Sequence, residues 1–244
     1  MKKKPIILTS LAFALILSAC GKAAEPISAA PDETGVRTAV EKVITSVLSD
    51  PVMVYEETAD TLKANGGANI GTESDQRKVT DEGVQFYAAD GENPFMMLAK
   101  GLSEADGVNN MNQAFYIRFK PSAKDFGFML SSATSVGITI GDDAEPCVFI
   151  LEHDYMEPMA TSLQIEPDNW YHALVAMSSD GVLQGALWKD GREDNVARFS
   201  VATGSFDDGG YVNQPWQALI GYKGEATFTV GDYAYYTFAG GEGS

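Results

Sequence analysis

Hydrophobic positions along this chain change their period twice. Ile6 to Leu17 is an apolar run interrupted only by Thr9 and Ser10. Its twelve residues are too few for a membrane-spanning helix, which needs about 20, and suit the apolar centre of a secretory signal. Further on, Val36, Ala39, Val40, Val43, Ile44, Val47 and Leu48 recur at offsets of three and four. That spacing predicts one amphipathic helix over 32–50, capped by Asp32 or Thr34 and stopped by Asp50-Pro51. The stripe serves either to pack on the domain that follows or as a docking or dimerisation face. Its β-branched valines lower intrinsic helicity, so the helix needs a packing surface.

From Pro51 onward the period becomes two. Strands are predicted at Val52–Glu56, Val84–Ala88, Phe95–Ala99, Ala114–Lys120, Phe126–Leu130, Val136–Ile140 and Cys147–His153. Further ones are predicted at Thr161–Ile165, Trp170–Met177, Leu183–Trp188, Ala197–Ala202, Trp216–Ile220, Ala226–Val230 and Tyr233–Phe238. Many short strands separated by Gly, Asp, Asn and Pro predict an all-β sandwich or barrel over 51–240. No βαβ alternation and no fixed-length repeat is present, which argues against parallel sheets, propellers and solenoids. Asp180-Gly181 and Asp190-Gly191 are hairpin turns, because both residue types tolerate positive φ. Trp170–Met177, Leu183–Trp188 and Ala197–Ala202 are therefore expected to form a meander.

Composition narrows the partners. The 244 residues carry 34 acidic and 17 basic side chains, a formal charge of −17. Phosphate would be repelled, so nucleic acid and anionic lipid headgroups are excluded as main partners. Two cysteines, Cys20 and Cys147, make no disulfide framework. Cys147 begins an apolar run and reads as a buried, inert thiol.

Lys2, Lys3 and Lys4 precede the apolar run, and Leu17-Ser18-Ala19-Cys20-Gly21 follows it. This order resembles a bacterial lipoprotein signal. The resemblance implies a signal peptide over 1–19, lipidation of Cys20 by diacylglycerol and acyl chains such as palmitate, and anchoring of the mature chain to the cell envelope, facing away from the cytoplasm. Lys22–Pro31 (KAAEPISAAP) then reads as a tether, giving an anchor and linker over 20–31.

Trp170-Tyr171-His172-Ala173-Leu174-Val175-Ala176, Asp180-Gly181 and Gly185-Ala186-Leu187-Trp188-Lys189-Asp190-Gly191 together resemble the hairpin of the concanavalin A-like lectin/glucanase superfamily, including laminin G-like domains. Ala114–Pro121, Trp216–Gly221 and Asp232–Phe238 resemble further strands of such domains in the same order. The resemblance implies a jelly-roll sandwich of two curved antiparallel sheets, preceded here by the helix, with first and last strands adjacent, Trp170 in the core and His172 structural. It also implies an extracellular ligand, foremost a glycan, bound without catalysis. A surface endoglycanase and a protein-binding or structural module remain the other readings, since one fold hosts all three.

Candidate chemistry follows. Glu152, Asp154 and Glu157 carry the spacing E-x-D-x-x-E. In laminarinase-like retaining glycosidases of this superfamily such a stretch supplies nucleophile, helper and acid/base. That chemistry needs two carboxyl groups about 5–5.5 Å apart. On a regular strand Glu157 has the opposite parity to the other two, so a solvated acidic strand end is the competing reading. Sugar faces stack on aromatic rings, which makes Tyr155, Tyr211 and Trp216 the candidate ligand contacts, while most other aromatics serve packing. Asp142, Asp143, Asp207 and Asp208 are loop acids that could supply oxygens to Ca2+, or simply form solvated turns. Two histidines exclude a His-rich metal site, and neither G-x-S-x-G nor a phosphate-binding glycine loop occurs.

Overall fold

The computed structural model describes residues 33–68, 70–71, 77–88, 96–98, 112–124, 126–131, 135–140, 144–150, 155–203, 217–222 and 226–239. In chain order the elements are α1 (Glu33–Val47), β1 (Ser49–Glu57), α2 (Ala59–Ala64), β2 (Ile70–Gly71), β3 (Arg77–Thr80), β4 (Gly83–Ala88), β5 (Met96–Leu98), β6 (Gln113–Pro121), β7 (Phe126–Ser131) and β8 (Ser135–Ile140). Then come β9 (Pro146–Ile150), β10 (Tyr155–Pro158), β11 (Tyr171–Met177), β12 (Val182–Lys189), β13 (Ala197–Ala202), β14 (Gln217–Tyr222) and β15 (Ala226–Ala239).

The strands build the expected all-β sandwich of two antiparallel sheets. One has eight strands in the order β13-β12-β11-β6-β15-β4-β3, with β1 also paired to β15. The other has seven, in the order β10-β9-β8-β7-β14-β5-β2. The three-strand meander β11-β12-β13 forms as expected, Tyr171 lying opposite Lys189 and Leu187 opposite Ala197. First and last strands are neighbours, with Ser49 opposite Ala239 and Glu57 opposite Tyr233.

Strand parity places the core. Phe115, Ile117 and Phe119 of β6 and Tyr171, Ala173 and Val175 of β11 face inward against Phe126, Phe128, Leu130, Val136, Ile138, Val148 and Ile150 of the opposite sheet. The Phe119 ring stacks on Phe228 at 4.9 Å and meets Phe128 edge-on at 4.4 Å. Both geometries suit the ring quadrupole.

A second apolar layer lies on the outer face of the eight-stranded sheet. There Val40, Val43, Ile44 and Leu48 pack on Tyr116, Leu174, Ala176, Trp188, Tyr236 and Phe238. This is why all seven residues of β11 are buried, although an antiparallel strand usually keeps one wet face. Each of the valine, leucine, isoleucine and phenylalanine side chains removed from water here contributes about 1.5–3 kcal/mol. α1 runs across the sheet: Arg37 meets Glu56 of β1 at 3.4 Å, and nine residues later Ser46 Oγ accepts from Arg198 of β13 at 3.1 Å.

Several expectations are corrected. Thr161–Ile165 is not a strand. Its apolar alternation buries Leu163 and Ile165 as an irregular plug, and Ile165 N donates to Ala144 O rather than to a ladder. Ala226–Val230 and Tyr233–Phe238 are one strand, β15, bent by a register shift between Val230 and Asp232. α1 ends at Val47, and β1 starts before Pro51, with Asp50 at φ 45°. Trp170 lies outside the core because Tyr171 takes the inward position, and neighbouring residues point to opposite faces.

Candidate functional site

The Asp190-Gly191 turn sets up the site. Gly191 adopts φ +73°, Asp190 N donates to Trp170 O at 3.0 Å, and Arg192 N donates to Lys189 O at 3.0 Å. At this turn Asp190 reaches Arg118 and His172 on the outer face of the sheet. There Trp188 of β12, His172 of β11, Arg118 of β6 and Asp232 of β15 stand side by side in register across four strands.

His172 is wholly buried. Its ring stacks on Trp188 at 4.9 Å and 8°. Nδ1 lies 2.7 Å from the Tyr116 hydroxyl, and Nε2 faces Asp190 Oδ1 at 3.4 Å. Burial pushes the Tyr116 phenol well up, and the Asp232 charge adds to it, so this hydroxyl keeps its proton.

Arg118 locks the other side. Its Nε and Nη2 donate to Asp190 Oδ2 at 3.2 and 2.8 Å, and Nη1 stands 3.8 Å from Asp232 Oδ2. Burial alone would raise the Asp190 carboxyl, but the hydrogen bonds and charges of His172 and Arg118 outweigh it and hold the group well below the usual carboxylate range. Asp232 Oδ1 accepts from Ala59 N at 2.9 Å, at the start of α2.

Trp170 completes the patch. The indole is half-buried, with the Arg118 guanidinium 4.1 Å and the Lys120 ammonium 5.5 Å from its centre. Lys120 pairs with Glu82. Gly231, at the β15 bend, makes room: a Cβ there would stand 3.0 Å from Arg118 Nη1 and 3.1 Å from the indole. The result is a fixed aromatic ring among partly exposed carboxylates. The Tyr116–His172–Asp190 chain does not form a nucleophilic triad, because a wholly buried imidazole cannot reach a substrate.

The residues singled out from sequence are spread elsewhere. Glu157 is exposed on β10, opposite Val148. Tyr155 of the same strand is half-buried and packs on the main core; burial, together with Glu157, raises its phenol. Glu152, Asp154, Tyr211, Trp216, Asp142, Asp143, Asp207, Asp208 and Cys20 lie outside the described residues. Cys147 is a buried thiol outside any disulfide, its Sγ donating to Glu145 O at 3.6 Å. Among the described residues no three His, Cys, Asp or Glu side chains gather to hold a metal ion. Strand parity was the one signal that could have found the Trp170 patch, since Trp170 and Tyr171 cannot both face the core.

No protein-family model matches the chain, and neither does any curated protein sequence. Solved structures do. Peanut lectin with a nine-residue peptide is 9% identical, with a TM-score of 0.49 over 78% of this chain and 98% of that one. Lectin I from Ulex europaeus, in complex with the methyl glycoside of α-L-fucose, is 12% identical, with a TM-score of 0.48 over 78% and 99%. A protein of unknown function from Shewanella oneidensis MR-1 is 12% identical, with a TM-score of 0.43 over 79% and 78%. At these identities no residue here inherits a role from its counterpart.

Proposed function

We propose that this protein is a lipid-anchored bacterial envelope protein whose sandwich binds an extracellular glycan without cleaving it. The anchor reading rests on Lys2–Lys4, the apolar run to Leu17 and the small residues before Cys20. The binding reading rests on one observation: the partly exposed Trp170 indole, fixed by Arg118 beside the carboxylates of Asp190 and Asp232. Sugars are recognised by stacking of a C–H face on an aromatic ring and by hydroxyls held on fixed polar groups. Display on a membrane strengthens such weak contacts through multivalency.

Two measurements test it. Full-length chain and the Cys20→Ser variant are expressed in a bacterial host and fractionated. The expected result is wild type in the membrane fraction and the variant released, whereas equal partition of the two overturns the anchor. A time-resolved polysaccharide array is expected to show retention that persists for hours. Retention that fades as reducing ends appear would instead establish the hydrolase reading of Glu152, Asp154 and Glu157, and retention on no polymer overturns glycan binding.

A further inference from the structure

We infer that the glycan unit taken at the Trp170 patch is an uncharged pyranose, with Asp232 Oδ2 as the acceptor that fixes one of its hydroxyls. The inference rests on the glycan-binding reading above and adds the ligand's charge class and its anchoring atom.

The acceptors decide first. Of Asp190, Oδ2 accepts twice from Arg118, and Oδ1 is turned toward the buried His172, 3.4 Å from its Nε2. Of Asp232, Oδ1 takes the Ala59 N–H, whereas Oδ2 stands 3.8 Å from Arg118 Nη1, beyond hydrogen-bond distance. The Asp232 side chain is 33% exposed. Oδ2 is thus a carboxylate oxygen at the surface with lone pairs to spare, next to the glycine over which the indole lies. Such an oxygen binds a hydroxyl donor and repels another anion.

Charge decides next. Among the described residues the cations over the indole are Arg118 and Lys120, the first paired to Asp190 and more distantly to Asp232, the second to Glu82. With Asp232 the carboxylates number three against two cations, inside a chain of formal charge −17. A uronate, sulfate or phosphate would have to displace a carboxylate already holding Arg118. A neutral ring needs no displacement: its apolar face lies on the indole, and its hydroxyls donate to Asp232.

The test uses the full-length chain in mild non-ionic detergent, against neutral polysaccharides (β-glucan, mannan, galactan) and acidic ones (alginate, polygalacturonate, heparin), at low and high salt. Wild type is expected to be retained on a neutral polymer with the same affinity at both salt levels. Trp170→Ala is expected to lose about tenfold or more in affinity. Trp170→Phe, which keeps the packing, is expected to lose less. Asp232→Asn keeps an oxygen for Ala59 N but puts a donor where Oδ2 stood, and is expected to lose about tenfold. Its thermal midpoint should stay close to that of wild type. Retention on acidic polymers alone, or neutral retention unchanged in both Trp170→Ala and Asp232→Asn, overturns this inference while leaving glycan binding intact. Retention on no polymer overturns the glycan reading and this inference with it.

Discussion

Asp190 carries more of the local structure than any other polar side chain in the patch, since it ties the β12 turn to β6 and to the buried imidazole. Replacing it with Asn takes from Arg118 the carboxylate it holds through two hydrogen bonds and leaves it the more distant Asp232, a loss of about 1–3 kcal/mol for a partly buried pair. The pH dependence has a definite sign. The folded carboxyl titrates below its unfolded value of about 3.9, so its stabilisation is complete above about pH 5 and is lost as pH falls through that value and on through the lower folded one. Urea unfolding at pH 7 and at pH 3 should show a wide gap between wild type and Asp190→Asn at the higher pH and a narrower gap at the lower. An equal gap at both would mean that the contribution of Asp190 is steric. Gly185 offers a second test on β12. A Cβ there would stand 2.1 Å from Leu174 O and 2.8 Å from the Phe199 ring. Gly185→Ala must therefore push β11 and β13 aside, and should cost about 3 kcal/mol or more in the same assay.

At the scale of elements, α1 shows how a weak helix former is held by the surface it covers. Its valines favour helix poorly, and a helix of fifteen residues is marginal alone in water. A peptide spanning residues 33–48 should therefore give a coil-like circular dichroism spectrum. Ile44→Ala, at a site only 2% exposed, should lower the stability of the intact protein by about 2–4 kcal/mol in urea. An effect below about 0.5 kcal/mol would mean that α1 is detached in solution. The stripe and the strands with clean alternation were legible because each records one buried face. The elements that were missed record none: β3 (RKVT) and β10 (YMEP) are mostly polar or exposed at sheet ends. α2 is a single capped turn, and its signal, a Thr58–Thr61 capping box, was present but too short to stand out. The false strand at Thr161–Ile165 has real alternation, but its apolar residues plug the core from a loop. Trp170 was misplaced for a different reason, because the resemblance put it in the core while its own parity with Tyr171 puts it outside.

For the whole molecule, chain order and sheet order are in conflict, and this shapes how the protein folds. β15 is the last strand, yet it lies inside the eight-stranded sheet, between β6 on one side and β4 and β1 on the other. Its partners are as remote as Ser49 for Ala239, and it carries Phe228, Val230, Tyr233 and Tyr235 into the main core and Ala234, Tyr236 and Phe238 into the layer under α1. Both apolar layers thus stay open until the C-terminal strand is in place. Non-local pairing of this kind requires loop closure before contacts offset its cost, so refolding belongs in the range of milliseconds to seconds rather than microseconds. A chain ending at residue 225 would lack the strand that joins β6 to β4 and β1. It should show no cooperative urea transition and should bind a hydrophobic dye, while the intact chain unfolds in one step seen alike by tryptophan fluorescence and far-UV circular dichroism. A sharp transition in the truncated chain would show that the meander β11-β12-β13 with β6 and α1 folds by itself, and would make β15 a late addition to a finished unit instead of the strand that closes both layers.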